Sequence, residues 1–162
     1  MDMLIALGLS IGVLIAIWTY IALGPGALPV WAGIVAWGTF FAAGGKTDGF
    51  IKTVASNLSG VFWAFVALFV ATKLGGTVPI IAVLVGVVAF MMCVQAKIPQ
   101  LSFIPGAFLG AATTVSVVAG ANGTYTRTII ALIAGAIFAF ISELLAGLLA
   151  GAPKKVAQPA GD

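Results

Sequence analysis

Charge is scarce in this chain: 7% of its 162 residues are charged, and histidine does not occur. A soluble domain carries about 25% charged residues, because its surface must be wetted. Seven Lys/Arg and four Asp/Glu cannot coat a globule of this length. The lack of histidine removes imidazole acid–base chemistry and histidine-containing metal sites. One cysteine, Cys93, excludes an intrachain disulfide. Its surroundings, Phe90-Met91-Met92-Cys93-Val94, suit a small buried hydrophobe rather than a nucleophile. The net charge of +3 comes from basic residues scattered singly between apolar runs. That pattern sets membrane topology and does not form a nucleic-acid surface. Met1-Asp2-Met3 also lacks the basic start of a signal peptide, so the first apolar run is expected to be retained.

Apolar surface is abundant instead, with 62% hydrophobic residues and a mean hydropathy of +1.26. A helix needs roughly 20 apolar residues to span a hydrocarbon core about 30 Å thick. Six segments qualify: 3–23, 28–43, 50–72, 77–96, 101–120 and 126–150. None shows the alternation of a barrel strand. Residues 1–150 therefore read as one six-helix transmembrane domain, and 151–162, with Pro, Lys, Gln and Gly, as a disordered tail. Six crossings put Lys46, Lys52, Lys97, Lys154 and Lys155 on one side, against Lys73 and Arg127 on the other. Basic residues favour the cytoplasmic side, so both termini are expected there. Re-entrant second and fifth segments would invert that bias.

The two halves resemble each other at a shift of 73 to 75 residues. Ile11-Gly12-Val13 pairs with Val85-Gly86-Val87, and Trp31 to Val35 pairs with Ile104 to Phe108. Leu58 to Phe65, which contains Gly60, pairs with Ile133 to Phe140, which contains Gly135. Three crossings per half would turn the second half upside down, so a 3+3 inverted repeat is expected. Sites in such folds lie between the repeats, near short or Pro/Gly-interrupted segments. The second segment is introduced by Pro25, Gly26 and Pro29, the fifth by Pro99, Pro105 and Gly106.

A polar residue inside lipid needs a physical reason, because an unpaired group there costs several kcal/mol. Glu143, the one acidic residue within an expected span, is a candidate proton or cation site. The competing reading is a hydrogen-bonded carboxylate near the interface. Ser56, Asn57 and Ser59 form a polar patch in the third segment, and Thr113, Thr114 and Ser116 another in the fifth. Uncharged groups of this kind suit the path of a small neutral solute, or hydrogen bonding between helices. Trp37 and Trp63 lie deep enough to pack or to line a pore. Trp18, Tyr20 and Trp31 read as interfacial anchors. Gly106 and Gly110, Gly8 and Gly12, and Gly147 and Gly151 have the spacing that allows close helix approach. Gly33, Gly60 and Gly135 stand in the repeated blocks and are expected to serve packing too. Asn122-Gly123-Thr124 reads as a turn rather than a glycosylation site.

The stretch Met92-Cys93-Val94-Gln95-Ala96-Lys97, followed by Leu101-Ser102-Phe103-Ile104-Pro105-Gly106-Ala107-Phe108-Leu109-Gly110-Ala111, resembles the small YcdZ-type bacterial inner-membrane proteins. Ser59-Gly60-Val61-Phe62-Trp63-Ala64 supports the likeness, which extends from about Met3 to Ala150. It implies a bacterial inner membrane and one compact multispan domain. That family is grouped as a domain of unknown function, so the likeness carries no activity to any residue here.

The expectation is thus an all-α membrane protein that serves as a channel or facilitator for a small, uncharged solute. Its pore would run between the halves of each subunit of a homo-oligomer. No metal, cofactor or catalytic residue is expected. The alternative is a non-transporting structural or accessory membrane protein.

Overall fold

A computed structural model describes residues 1–120 and 123–151. The tail beyond Gly151 and the expected turn at Asn122 lie outside the described residues. Among those described, every regular element is helical. The helices are α1 (Met3–Leu23), α2 (Val30–Ala42), α3 (Lys46–Lys73), α4 (Val78–Val94), α5 (Ile104–Val118) and α6 (Tyr125–Ala150). Two 3-10 turns, Gln95–Lys97 and Pro99–Leu101, join α4 to α5.

The boundaries follow from local chemistry. Asp2 caps α1, its carboxylate accepting from the amides of Leu4 at 2.9 Å and Ile5 at 3.3 Å. Thr124 caps α6 by accepting from Arg127 N–H at 3.2 Å. Pro105 sits in the first turn of α5, where a missing N–H leaves no bond broken. The third helix starts at Lys46, four residues earlier than its apolar run suggests. Asp48 occupies its first turn and pairs with Lys52 at 2.6 Å, one turn on. The fifth starts at Ile104 rather than at Leu101, which belongs to the second 3-10 turn.

Among the described residues, four stretches are long and apolar enough to cross a membrane: α1, α3, α6, and α4 with the 3-10 turn that follows it. The short α2 and α5, at 13 and 15 residues, extend only about 20 and 22 Å at 1.5 Å per residue. Neither helix alone matches a core about 30 Å thick.

Contacts fix the directions of the helices. The Ser10 hydroxyl donates to Ser142 O at 2.8 Å and the N-terminal ammonium to Ala150 O at 3.4 Å, so α1 runs antiparallel to α6. Phe50 packs on Phe140, and Phe65 on Tyr125, which makes α3 antiparallel to α6. Gly33 meets Gly135 and Phe40 meets Phe140, so α2 runs alongside α6. Gly106 meets Ser56 and Gly110 meets Asn57, so α5 runs alongside α3. Successive helices therefore alternate in direction. One end gathers the N-terminus, the α2–α3 turn, the α4–α5 link and the end of α6. That end holds Lys46, Lys52 and Lys97, whereas Lys73 and Arg127 lie at the other.

Small residues build the seams. A methyl group at Gly60 would run into the backbone of Ala107 and Ala111, and one at Gly135 into that of Gly33. The main core is formed by Trp18, Trp37, Phe40, Leu132 and buried alanines of α2 and α6. The Phe138 ring lies 5.9 Å from that of Trp18 and 6.0 Å from that of Trp37. Trp18 is therefore a core residue rather than an interfacial anchor. It lies against Gly33, where no side chain would fit, and its indole N–H donates to Val30 O at 3.0 Å. Tyr20 and Trp31 do face outward. So do Leu4, Leu9 and Val13 of α1 and Val83, Val87 and Phe90 of α4, as a lipid-facing surface allows. Cys93 is exposed as well, contrary to the burial expected of it.

Candidate functional site

Most buried hydroxyls in this bundle are satisfied within their own helix. Thr39 donates to Val35 O at 2.7 Å, Thr114 to Gly110 O at 2.7 Å, Thr128 to Thr124 O at 3.0 Å and Ser142 to Ala139 O at 2.6 Å. This return bond to a carbonyl one turn back is the usual way for Ser and Thr to sit in an apolar helix.

One face of α3 differs. Thr53, Ser56 and Asn57 are spaced so that all three point the same way from a helix. They are buried to 0%, 0% and 1% exposure. Among the described residues, the hydroxyls of Thr53 and Ser56 and both amide atoms of Asn57 have no hydrogen-bond partner. The indole N–H of buried Trp37 on α2 lacks one as well. An unmet buried polar group costs about 1–3 kcal/mol, so this cluster weighs against the stability of the fold.

The neighbouring helices approach that face closely. A methyl at Gly106 of α5 would lie 2.9 Å from Ser56 Cβ and 3.2 Å from Thr39 Cγ2 of α2. One at Gly110 would strike the backbone of Asn57. The cluster therefore sits where α2, α3 and α5 meet. Its groups are neutral, and together they offer donors and acceptors.

A second polar network adjoins it. The Trp63 indole N–H donates to Gln95 Oε1 at 2.8 Å, and Gln95 Nε2 donates to Ser59 Oγ at 2.8 Å. The Ser59 hydroxyl in turn donates to Ser56 O at 3.0 Å. Gln95 thus ties the end of α4 to the polar face of α3. Sequence reasoning missed it, although it is the one amide side chain in the apolar run 78–96. Thr53, outside the patch expected from Ser56, Asn57 and Ser59, also belongs to the cluster.

Other expected residues stand elsewhere. Thr113, Thr114 and Ser116 do not form a patch: Thr114 is buried and bonded to its own helix, while Ser116 is exposed. Gly33, Gly60, Gly106, Gly110 and Gly135 all lie in tight seams. Gly8, Gly12 and Gly147 meet no other element within 4 Å among the described residues. Glu143 is bonded to another helix: Oε2 accepts from Lys46 N–H at 2.7 Å, and Oε1 lies against Gly45. The α2–α3 turn carries positive φ at Gly44, Gly45 and Lys46 (99°, 65° and 56°). A carboxylate at the start of α3 satisfies an otherwise unpaired amide and complements the helix dipole. This geometry favours the hydrogen-bonded reading of Glu143 over an isolated charge in lipid.

The family model described as Protein of unknown function (DUF1097) matches residues 8–147. The chain is 35% identical over 142 residues to the inner membrane protein YcdZ of Escherichia coli (strain K12), which covers 86% of this chain and 83% of that one. It is 34% identical over 142 residues to YcdZ of Salmonella typhimurium (strain LT2), covering 86% and 85%. A third relative, the uncharacterized protein YahC of Escherichia coli (strain K12), is 35% identical over 153 residues, covering 88% and 90%. No solved structure matches.

Proposed function

The chain belongs to the DUF1097 family, of unknown function, and from its own geometry we propose that it is a membrane facilitator for a small, uncharged solute. The path runs between two oppositely oriented three-helix halves, past Thr53, Ser56 and Asn57. The observation that carries this function is the set of buried, unpaired, uncharged polar atoms where α2, α3 and α5 meet. A solute leaving water needs replacement hydrogen bonds, and these atoms are free to supply them. Neutral groups favour a neutral solute, and the ion pair Asp48–Lys52 belongs to the end of the bundle.

All six helices cross the bilayer, the short α2 and α5 being completed by the links that precede them. Both termini face the cytoplasm of a bacterial inner membrane. The alternating directions support six crossings, and the basic residues gathered at the end with the N-terminus support that orientation. An inverted repeat is supported by reciprocal packing: α2 lies on α6 as α5 lies on α3, with Gly135 and Gly60 at the two seams. The protein is not an enzyme. It forms a symmetric homo-oligomer that covers part of the exposed faces of α1 and α4. Its mass in gentle detergent tests that part.

Swelling of proteoliposomes in urea, glycerol, acetate and simple amides tests transport. Uptake above that of empty vesicles, lost in Asn57→Leu, is the expected result. Uptake equal to empty vesicles for every solute would leave the alternative, a structural or accessory membrane protein. The tight glycine seams are the observation that favours it, since they draw the helix backbones together.

A further inference from the structure

Two depressions lie at opposite ends of the bundle. One, of about 310 Å³, is lined by Ala27 and Pro29 of the α1–α2 link, Ser116 near the end of α5 and Arg127 at the start of α6. The other, of about 270 Å³, is lined by Gln100 and Ser102 of the α4–α5 link and by Asp48 and Lys52 at the start of α3. The shift of 75 that pairs Gly60 with Gly135 also pairs Lys52 with Arg127. The shift of 73 that pairs Gly33 with Gly106 carries Ala27 onto Gln100 and Pro29 onto Ser102. The two depressions are therefore assembled from corresponding parts of the two halves. Both have charged and polar linings. By contrast, a larger groove between α1 and α6, lined by Leu9, Val13, Leu145 and Leu148, is apolar and suits lipid.

We propose that these two depressions are the mouths of one path, an assignment that rests on the transport reading and locates where solute enters and leaves. An axis that exchanges the halves must exchange the two mouths, and these are built as such images. The mouth at Lys52 opens close to the buried cluster, since Ser56 stands one turn further along α3, about 6 Å away. The mouth at Arg127 adjoins Thr128, the buried counterpart of Thr53. The linked 3-10 turns beside Ser102 and the Pro-containing link beside Pro29 form the outer walls.

Single cysteines test the assignment in a Cys93→Ala background. Ser102→Cys and Ser116→Cys are exposed to a membrane-impermeant maleimide in spheroplasts and in inverted vesicles. Each should react from one side only, and the two from opposite sides. The same variants, labelled in detergent and reconstituted, should lose solute-driven swelling severalfold. Labelled Thr77→Cys, on the exposed α3–α4 link away from either mouth, should retain it. Reaction of Ser102→Cys and Ser116→Cys from the same side overturns the assignment. Full labelling of both that leaves swelling intact overturns the mouths while transport itself stands. No swelling in the unlabelled parent overturns transport, and the mouths with it.

Discussion

The third and sixth helices bury corresponding positions at the shift of 75, and two of those positions differ in polarity. At the shift of 75, Thr53 answers Thr128, Gly60 answers Gly135 and Ala64 answers Ala139, and each of these residues is buried. Both glycines lie in seams against the short helix of the opposite half. Yet Ser56-Asn57 stands where α6 has Ala131-Leu132, also buried. The environment thus accepts an apolar pair on one side of the molecule and holds an unpaired polar pair on the other. Packing explains the glycines on both helices, but it gives no reason for Asn57. A group that weakens the fold and has an apolar counterpart on α6 points to a role outside folding.

The largest effect should come from the shared feature. Gly60→Leu and Gly135→Leu each drive a side chain into backbone that cannot rotate aside. Each should destabilise by about 3 kcal/mol or more, read as loss of folded protein in mixed-micelle unfolding. Equal losses would sharpen the likeness of the helices, whereas tolerance at either glycine would break it. The next test removes the difference. Ser56→Ala with Asn57→Leu gives α3 the residues of α6 and should stabilise the fold by about 1–3 kcal/mol, since unpaired polar atoms leave the core. Solute uptake should vanish together with that gain. A less stable double variant would mean that the polar pair is structural.

A reverse asymmetry concerns Glu143, whose counterpart on α3 is Leu68. Its carboxylate bonds the first amide of α3, so Glu143→Ala should cost about 1 kcal/mol, the worth of a typical cap. Uptake by the folded variant should persist. Abolished uptake with unchanged stability would favour the proton or cation role over the hydrogen-bonded one.

What could be read in advance depended on whether the cause was local. The bounds of α1 were legible because Asp2 and Gly24-Pro25 punctuate the run on the chain itself. The early start of α3 was legible only in part, because Asp48 and Lys52 are local whereas the carboxylate that bonds its first amide lies 97 positions away. Trp18 was misjudged for the same reason: its partner Gly33 comes from the next helix. Asn57 and Ser56 were legible because neutral polar groups in lipid demand a reason. Gln95 was overlooked because a polar residue at the end of a run resembles an interfacial one. Only the fold reveals that it reaches back to Ser59 and Trp63.

Glycine spacing alone could not tell a seam from a lipid-facing stripe, and here the smallest effect is expected. Gly8 and Gly12 have the same four-residue spacing as Gly106 and Gly110, yet among the described residues no other element approaches within 4 Å of where their side chains would begin. Within the chain, Gly8→Ala and Gly12→Ala should be neutral or stabilising by up to about 1 kcal/mol, since alanine favours a helix interior. The bulkier Gly12→Leu should likewise leave the folded monomer intact. If it lowers the detergent-solubilised mass while the monomer remains folded, the stripe on α1 is a contact between copies. Gly12 would then act between subunits as Gly60 and Gly135 act between halves.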